Sequence, residues 1–553
     1  MLTYPHFEPH FPTKDWMLPT ILEHQAVQRA DRPCLSWEDG GRPYSFAEVN
    51  AIANRLARGF AREGVRKGDF VVLFLPNCIE YVFAWFALQK LGAVEVTVGD
   101  NYKGEFLRHQ ASLSQPKIVL TTPELSHRLA EIESQLMSVE RCFLVEDGGT
   151  TPPARFTRIR AFAFERLYDD DASNLGTPLT PRDTAAVLFT SGTTGLSKGV
   201  LMSHSQFYFF AEEDVQLVGL TDQDVYSTGF PLFHGNAQFL TVYPCLIAGA
   251  HCVLYPKFSA SDFIGRIRRS GSTVCNLLGA TMAFILAQPP LPDDRDHRLR
   301  RIYAAPLSPD LAGDFTERFG VSEFVDGFGQ TEISNVFMTP RGAKRPPGAS
   351  GVLVDQFFEI RLTDPETDED VPEGEIGELL VRHKRPGIMC DGYLAMPEKT
   401  VETWRNLWFH TGDAMRRDAE GWYYFVDRVK DALRRRGENI SSFEVESVVR
   451  SHPAITDCAV VAAKADEKAG EDEVKAWIVL AEGADVRYEE LIAWCDARMP
   501  GFMVPRYFER LDDLPKTPSQ KIRKKELRDR GNGPDTWDRV KAGCLLSGER
   551  ARV

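Results

Sequence analysis

A loop of small hydroxyl residues and glycines near position 190 carries the clearest chemical signal in the sequence. Residues 188–200 read Leu-Phe-Thr-Ser-Gly-Thr-Thr-Gly-Leu-Ser-Lys-Gly-Val. Glycines and short hydroxyl side chains let backbone N–H groups approach phosphate oxygens, and the lysine adds a mobile positive charge. A Gly/Thr-rich surface turn is the weaker interpretation. The pattern predicts a phosphate-binding loop made by Thr190, Ser191, Gly192, Thr193, Thr194, Gly195 and Lys198.

This loop differs from the Walker A phosphate loop. The Walker A pattern needs glycine directly before the lysine and serine or threonine directly after it. Here Lys198 lies between Ser197 and Gly199, so the hydroxyl that would hold a metal ion is missing. We therefore expect Mg²⁺ to find its protein ligand elsewhere in the chain.

Length, charge and cysteine usage limit the class of protein. A chain of 553 residues is too long for one hydrophobic core, so we expect at least two domains. The net charge of -14 argues against nucleic acid as a partner. The ten cysteines form no C-x-x-C pair, as in reduced cytosolic proteins. The start lacks a signal-peptide pattern, and the apolar stretch 239–255 is interrupted by Pro244 and Gly249. We expect a cytoplasmic protein without a membrane span.

The first third of the chain alternates predicted helices and strands. Ser45 and Glu48 form a capping box before a helix that continues to Gly64. An apolar strand over 70–75, a helix over 80–91 and a strand over 94–98 follow. This order predicts parallel sheets covered by helices on both faces.

Later segments predict two further parts. Short strands and turns over 350–410 indicate a small β-barrel-like part, and a smaller α+β unit follows from about 430. The expected fold class is α/β: a large N-terminal domain of βαβ-type sheets with the barrel-like part, then a smaller mobile α+β domain. We expect the N-terminal domain over 1–429, the C-terminal domain over 430–526 and a polar tail over 527–553.

The phosphate loop and several other motifs resemble the adenylate-forming superfamily. That superfamily includes acyl-CoA synthetases, peptide-synthetase adenylation domains and firefly-type luciferases. The resemblance covers roughly residues 20–526, and its motifs occur in the family's order. They are Gly92-Ala93-Val94, Phe230-Pro231-Leu232-Phe233-His234, Gly329-Gln330-Thr331-Glu332, His410-Thr411-Gly412-Asp413, Asp427-Arg428-Val429-Lys430-Asp431, Gly437-Glu438-Asn439-Ile440 and Leu514-Pro515-Lys516-Thr517-Pro518-Ser519-Gln520-Lys521.

The resemblance implies an ATP-dependent ligase that uses Mg²⁺ and coenzyme A. A carboxylate would attack the α-phosphorus of ATP and give an acyl-adenylate, which would pass its acyl group to CoA. Residues 232–238 and 434–442 look most like crotonobetaine/carnitine-type CoA ligases and their relatives.

The resemblance also implies catalytic roles. Thr331 would contact the α-phosphate, and Glu332 would hold Mg²⁺. Lys521 would bridge the substrate carboxylate and the α-phosphate, although Gln520 replaces the usual glycine before it. His234 would gate the passage between the acyl pocket and the thiol channel.

The nucleotide and CoA sites follow from the same resemblance. Adenine would lie between the Phe328 ring and the Ala304-Ala305-Pro306 backbone, with Asp326 facing its amino group. Asp413 would accept the ribose hydroxyls with help from Arg428. The remaining nucleotide residues would be Gly327, Gly329 and Gln330. Lys430 would be the hinge that brings Gly437, Glu438 and Asn439 to CoA, with the Arg434–Arg436 run close to its phosphates.

The acid is less determined by sequence. The pocket candidates mix apolar and amide groups, which suits a medium-sized acid with a polar feature; a quaternary amine would call for an aromatic cage. Three alternative functions stay open: loading of a carrier protein, oxidation of the adenylate as in luciferases, and nucleotide binding without catalysis in a pseudoenzyme. The protein could also form a homodimer. The pocket candidates are Asn236, Gln238, Phe239, Leu278, Gly279, Met282 and Asn335.

Overall fold

The computed structural model describes most of the chain as mixed α/β structure. The described residues are 2–38, 40–146, 148–190, 197–305, 307, 309–429, 433–435, 438–440, 442–464, 472–499, 501, 503–517, 521–544 and 546. Three large sheets with their helices build the N-terminal part, and a small sheet with three helices builds the C-terminal part. The predicted fold class is confirmed.

Two mainly parallel sheets form the first two-thirds of the chain. In the described residues, the first sheet has seven strands in the spatial order Glu323–Val325, Arg301–Ala304, Val274–Leu277, Val225–Thr228, His251–Leu254, Pro33–Trp37 and Tyr44–Ser45. The second has eight, in the order Gly392–Tyr393, Lys198–Ser203, Thr184–Thr190, Val94–Thr97, Phe70–Leu73, Ile118–Thr121, Arg141–Leu144 and Arg160–Ala163.

The third sheet is antiparallel. It includes strands from the stretch 350–410, where the sequence predicted short strands and turns. Its strands run in the order Gly327–Gln330, Ser334–Met338, Gly351–Leu353, Trp422–Arg428, Phe409–Arg417, Gly377–His383 and Phe358–Thr363. Strands from distant parts of the chain therefore meet here, and this pairing brings residues near 330, 413 and 428 to one place.

Helices cover these sheets. The predicted capping box is present, because the Ser45 side chain accepts the Glu48 N–H and the Glu48 carboxylate accepts the Ser45 N–H. Among the described residues no helix is long and apolar enough to span a membrane. The α-helices of the N-terminal part are Leu18–Gln28, Phe46–Arg62, Ile79–Leu91, Gly104–Leu113, Pro123–Glu131, His204–Val218, Gly235–Ala237, Tyr243–Ala248, Phe263–Ser270, Gly279–Leu286, Pro309–Phe319 and Pro397–Thr403.

Short helical turns complete the N-terminal part. A π-helical segment, Gln238–Val242, joins the two short helices that flank it. The 3₁₀ turns are Thr13–Asp15, Glu133–Gln135, Phe164–Leu167 and Arg405–Leu407.

The C-terminal part has its own apolar core. Its four-stranded sheet runs in the order Ile455–Lys464, Asp472–Leu480, Tyr507–Arg510 and Trp537–Asp538, and a separate strand pair joins Leu433–Arg435 to Glu438–Ile440. Its helices are Ser442–Arg450, Tyr488–Asp496 and Lys524–Arg530.

Part of the segment expected as a polar tail packs against the C-terminal part where it is described. Helix Lys524–Arg530 crosses the predicted boundary at 526, and Trp537 stacks on Tyr488 with ring centroids 5.2 Å apart. Leu546 is buried in the core of the C-terminal part. A few apolar side chains are therefore enough to fold this polar stretch onto the sheet.

Candidate active site

The phosphate loop joins two paired strands. Strand Thr184–Thr190 runs antiparallel to Lys198–Ser203, with Thr190 directly opposite Lys198. This pairing fixes both ends of the loop at one sheet position. The loop residues predicted to bind phosphate between them lie outside the described residues: Ser191, Gly192, Thr193, Thr194 and Gly195.

Glu332 lies beside the ends of this loop. Its carboxylate accepts a hydrogen bond from the Thr190 hydroxyl at 3.5 Å and from the Tyr393 hydroxyl at 3.1 Å. The Lys198 ammonium donates to the same Tyr393 hydroxyl at 2.9 Å. Burial lowers the pKa of Lys198, against the opposing effect of the Glu332 carboxylate.

A buried glutamine, Gln206, fixes the backbone at Thr331 and Glu332. The Gln206 side-chain amide donates to the carbonyl of Thr331 at 2.8 Å and to that of Glu332 at 3.3 Å. Gln206 is itself fully buried in helix His204–Val218. A long helix of the core thus fixes the direction in which the Glu332 side chain leaves the main chain.

Asp413 is a buried carboxylate with two neighbours. Gln330 donates to one of its oxygens at 2.6 Å, and the Arg428 guanidinium lies 2.8 Å from the other. Strand pairing places Asp413 opposite Arg428. Burial raises the pKa of Asp413 to about 6, although Arg428 and the Gln330 hydrogen bond oppose this shift.

Strand Gly327–Gln330 forms the wall expected to face adenine. The Phe328 ring is half-buried, and it stacks on Phe425 with centroids 6.1 Å apart. A Cβ at Gly329 would lie 2.1 Å from the Ser334 carbonyl oxygen, so only glycine fits this close backbone approach. Ala304 ends the strand Arg301–Ala304, Ala305 follows it, and the predicted Pro306 lies outside the described residues.

Asp326 directly precedes this wall. Its carboxylate is buried and lies 3.4 Å from the Arg345 guanidinium. Burial raises the pKa of Asp326 to about 7, while Arg345 and the N–H groups of Gly327 and Leu307 oppose the shift. This carboxylate can accept a hydrogen bond from an amino group.

Lys521 of the C-terminal part faces this group of residues. Enclosure by protein lowers its pKa, Arg428 lowers it further, and the carboxylates of Asp413 and Glu332 oppose the shift. The side chain is nevertheless exposed, so the enclosure is that of an open cleft rather than of a dry core. The Lys521 carbonyl accepts the Thr517 N–H at 2.7 Å, and the Lys521 N–H donates to the Thr517 hydroxyl at 3.1 Å, so the backbone of this lysine is fixed.

His234 faces the same cleft. Enclosure lowers the pKa of its imidazole to about 4, and the positive charge of Lys521 contributes to this shift. The residue is exposed, which again indicates an open cleft. Its Nδ1 accepts the Asn236 N–H at 3.4 Å, so at neutral pH a neutral ring begins the short helix Gly235–Ala237.

The predicted acid-binding residues divide into two groups. Asn236 and Gly279 are partly exposed, and Leu278 is 37% exposed, so these can line an open pocket. Asn276, which sequence analysis missed, donates to the Asn236 side chain at 2.7 Å. The other predicted side chains lie in the interior: Gln238, Phe239, Met282 and Asn335.

Gln238 illustrates the interior group. Its amide donates to the Leu232 carbonyl at 2.9 Å and to the buried Glu95 carboxyl at 3.4 Å. Its hydrogen bond to Leu232 therefore stabilises the loop that precedes His234. Phe239 likewise stacks on Phe210, with ring centroids 4.1 Å apart.

Some predicted residues lie outside the described part of the chain, and the sequence did not predict every contact of the site. Lys430 and Gly437 lie outside the described residues, as do the side chains of Glu438 and Asn439. Tyr393 could not be found from spacing, because its partners lie 195 and 61 positions away in the chain.

Family models and known proteins match this arrangement. Residues 22–394 match the AMP-binding enzyme model, and residues 444–521 match the AMP-binding enzyme C-terminal domain. The chain is 34% identical over 498 residues to a crotonobetaine/carnitine–CoA ligase of Salmonella heidelberg, covering 88% of this chain and 93% of the relative.

Solved structures agree with these matches. An anthranilate CoA ligase in complex with anthranoyl-AMP superposes with a TM-score of 0.83 at 27% identity, covering 94% of this chain and 98% of the other. ATP-bound MatB from Rhodopseudomonas palustris superposes with a TM-score of 0.80 at 25% identity, covering 93% and 98%.

Proposed function

Because the chain belongs to the AMP-binding enzyme family and is an AMP-forming acyl-CoA ligase, we propose that it activates a medium-sized carboxylic acid that carries a polar group. The acid attacks the α-phosphorus of ATP and pyrophosphate leaves. The resulting acyl-adenylate then gives its acyl group to the thiol of CoA, and AMP is released. Acids of the crotonobetaine and carnitine class are the first candidates, because the 34% identical relative carries that name.

The position of Lys521 is the observation that carries this proposal. Its ammonium faces Asp413 and Glu332 from the C-terminal part, and its charge also reaches His234. A cation at this point can hold the acid's carboxylate against the α-phosphate and offset the charge that develops there. We assign this arrangement to the adenylation step.

Asp413 and Asp326 are proposed to bind the nucleoside part of ATP through hydrogen bonds. The Asp413 carboxylate is buried beside Arg428 and Gln330, so its free lone pairs suit the two hydroxyl donors of a ribose. Asp326 would accept from the adenine amino group, and the half-buried Phe328 ring would contact the adenine face. Arg345 keeps the Asp326 carboxyl in place.

Glu332 is proposed as the protein ligand of Mg²⁺. Its carboxylate and the Thr190 hydroxyl supply hard oxygen donors at the phosphate loop. Within the described part of the chain, no group of three or more His, Cys, Asp and Glu residues forms a metal cage. A single carboxylate fits Mg²⁺, which commonly keeps several waters and binds substrate phosphates. The bound ion would neutralise charge on the phosphates.

The thioester step is proposed to need a swing of the C-terminal part. Lys521 faces the cleft in this structure, and we propose that it leaves before the CoA thiol enters. We assign the hinge to Lys430 and the CoA contact to Gly437, Glu438 and Asn439. Neutral His234 would stand between the acyl pocket and the thiol path.

The acid side of the cleft favours a polar substituent. Asn236 is partly exposed near His234, and its amide is oriented by Asn276. Leu278 and Gly279 add an apolar wall. Amide groups beside an apolar surface can bind an acid whose chain carries a hydrogen-bonding group.

Two assays test the proposed function. ATP–pyrophosphate exchange with a panel of acids measures adenylation, and we expect the highest kcat/KM for medium-sized acids with a polar group. Acyl transfer to CoA is then compared with transfer to a pantetheinyl carrier protein. Preference for simple fatty acids would overturn the acid assignment, and preference for the carrier would favour the carrier-loading alternative.

A further inference from the structure

A short segment connects the phosphate loop to Glu332. The two-residue strand Gly392–Tyr393 pairs with the strand that follows the loop. Just beyond it, the Leu394 N–H donates to the Gly199 carbonyl at 2.8 Å, and the Cys390 N–H donates to the Glu332 carbonyl at 2.8 Å. One segment is thus bonded both to the loop strand and to the Glu332 backbone.

The Tyr393 hydroxyl also connects the two sites, because it bonds to the side chains of both Lys198 and Glu332. It accepts from the Lys198 ammonium at 2.9 Å and donates to the Glu332 carboxylate at 3.1 Å. The ammonium also lies 4.1 Å from the centre of the Tyr393 ring. The tyrosine is 5% exposed, so these contacts are sheltered from water, where hydrogen bonds to charges are stronger.

The neighbouring helix fixes the orientation of this tyrosine. The Tyr393 N–H donates to the Thr400 hydroxyl at 3.0 Å, and Thr400 belongs to helix Pro397–Thr403. Gly392 has a φ of 123°, and a Cβ there would lie 2.6 Å from the Thr400 methyl group. Glycine is therefore required for the strand to approach the helix, and this contact holds the tyrosine ring in place.

We propose that Tyr393 is a positioning residue of the adenylation step, whose hydroxyl holds the Lys198 ammonium beside Glu332 before MgATP enters. This inference rests on the proposed function, in which Lys198 binds the phosphates and Glu332 binds Mg²⁺. A free lysine side chain loses much conformational entropy when it is ordered, so ordering it in advance improves nucleotide binding. When the phosphates arrive, the ammonium keeps this hydrogen bond and directs its remaining N–H donors at phosphate oxygens.

The variant Tyr393→Phe tests this role because it keeps the ring and removes the hydroxyl. We expect binding of the α,β-methylene analogue of ATP, measured by calorimetry with Mg²⁺, to weaken about tenfold or more, the scale of a hydrogen bond to a charged group. The KM for ATP in pyrophosphate exchange should rise by a similar factor. Thioester formation from pre-made acyl-adenylate should stay at the wild-type rate.

Two comparisons separate this role from a structural one. Tyr424→Phe removes a hydroxyl that donates to Asp418 at 2.7 Å on the antiparallel sheet, and it should leave analogue binding unchanged. In a Lys198→Ala background, Tyr393→Phe should cause no further loss of analogue binding, since it acts through Lys198. A full additional loss there, or equal loss in both half-reactions, would overturn the proposal.

The proposed function and this inference can fail separately. If the wild-type protein exchanges pyrophosphate with no acid tested, the proposed substrate class is wrong, while analogue binding still reports on Tyr393. If exchange is normal and Tyr393→Phe binds the analogue like wild type, the positioning role is wrong and the proposed function stands.

Discussion

Two carboxylates of the proposed nucleotide site have pKa values near the working pH of an enzyme. Burial raises the pKa of Asp413 to about 6 and that of Asp326 to about 7. Each lies beside one guanidinium, Arg428 or Arg345, which limits the shift without cancelling it. The free site therefore holds acceptors whose charge depends on pH in a range where most carboxylates stay ionised.

The Asp413 shift predicts a pH dependence of nucleotide binding. Its proposed role needs the carboxylate, which dominates above pH 6 in the free protein. As pH falls below 6, the group protonates and loses acceptor capacity, so the KM for ATP should rise by up to about tenfold per pH unit. Above about pH 7, where most of the Asp413 carboxyl is ionised, its contribution should be constant. Pyrophosphate exchange between pH 5 and 8 measures this profile.

Substitution identifies the titrating group. Asp413→Asn should bind ATP weakly and lose the step near pH 6, whereas Asp326→Asn should keep that step. A wild-type profile that is flat from pH 5 to 8 would contradict the assignment.

Glu332 carries the second prediction at this scale. Glu332→Gln keeps the size of the side chain and removes its charge, so adenylation should fall about 10²-fold or more, the scale of losing a key electrostatic group. The variant should also need more Mg²⁺ for half-maximal exchange. Glu398→Gln, at an exposed position in helix Pro397–Thr403, is the matched control. Exchange near the wild-type rate in Glu332→Gln would refute the metal assignment.

At the scale of elements, the helices and strands follow local signals. Helix Phe46–Arg62 begins at its predicted capping box, and helix Ile79–Leu91 matches the predicted helix over 80–91 and ends at Gly92. The apolar stretch 239–255, which Pro244 and Gly249 interrupt, forms the buried helix Tyr243–Ala248 and the strand His251–Leu254. These signals work because caps, glycines and apolar runs act on residues only a few positions away.

The capping box predicts a stability effect without a catalytic one. Ser45→Ala removes the acceptor for the Glu48 N–H, and the free energy of unfolding should fall by about 1 kcal/mol. Ser45→Thr should retain most of that stability, because it keeps the hydroxyl. Urea denaturation followed by circular dichroism measures the change in the free energy of unfolding. A loss of pyrophosphate exchange in folded Ser45→Ala would contradict the purely structural role.

At the scale of the whole molecule, the arrangement of the two parts places the charge of Lys521 near Asp413 and Glu332. The Asp427 carboxylate, in the last strand of the N-terminal part, accepts the N–H of Ser442 at 2.8 Å. Ser442 begins helix Ser442–Arg450, and Lys524 pairs with Glu446 of that helix at 2.8 Å. The first contact joins the C-terminal part to the N-terminal part, and the second holds helix Lys524–Arg530 against helix Ser442–Arg450 within the C-terminal part.

This docking predicts a division between the half-reactions. Lys521→Ala should lower pyrophosphate exchange by about 10²-fold or more, since a cation at the reacting centre is lost. Thioester formation from pre-made acyl-adenylate should change little, because the lysine has to leave before CoA arrives. Lys525→Ala is the matched control, as Lys525 pairs with Asp529 at 2.5 Å on the exposed face of helix Lys524–Arg530. Equal loss in both assays would point to a folding defect.

The sequence by itself determined the class of fold and the family resemblance, and its motifs predicted the residues proposed for the cleft. The loop at Lys198, the acid at Glu332 and the carboxylate at Asp413 each stand in a short motif whose chemistry is local. The same motifs lead to Lys521 in the C-terminal part. Motifs suffice for these residues because their spacing along the chain carries the signal.

Only the tertiary structure decided which side chains touch. The amide of Gln238, a residue of the π-helical segment, donates to the Leu232 carbonyl and to the Glu95 carboxyl, which is 143 positions away. Tyr393 joins Lys198 to Glu332 although these partners lie 195 and 61 positions away. Side-chain direction and long-range pairing depend on how distant elements pack, and no spacing within one segment encodes that packing.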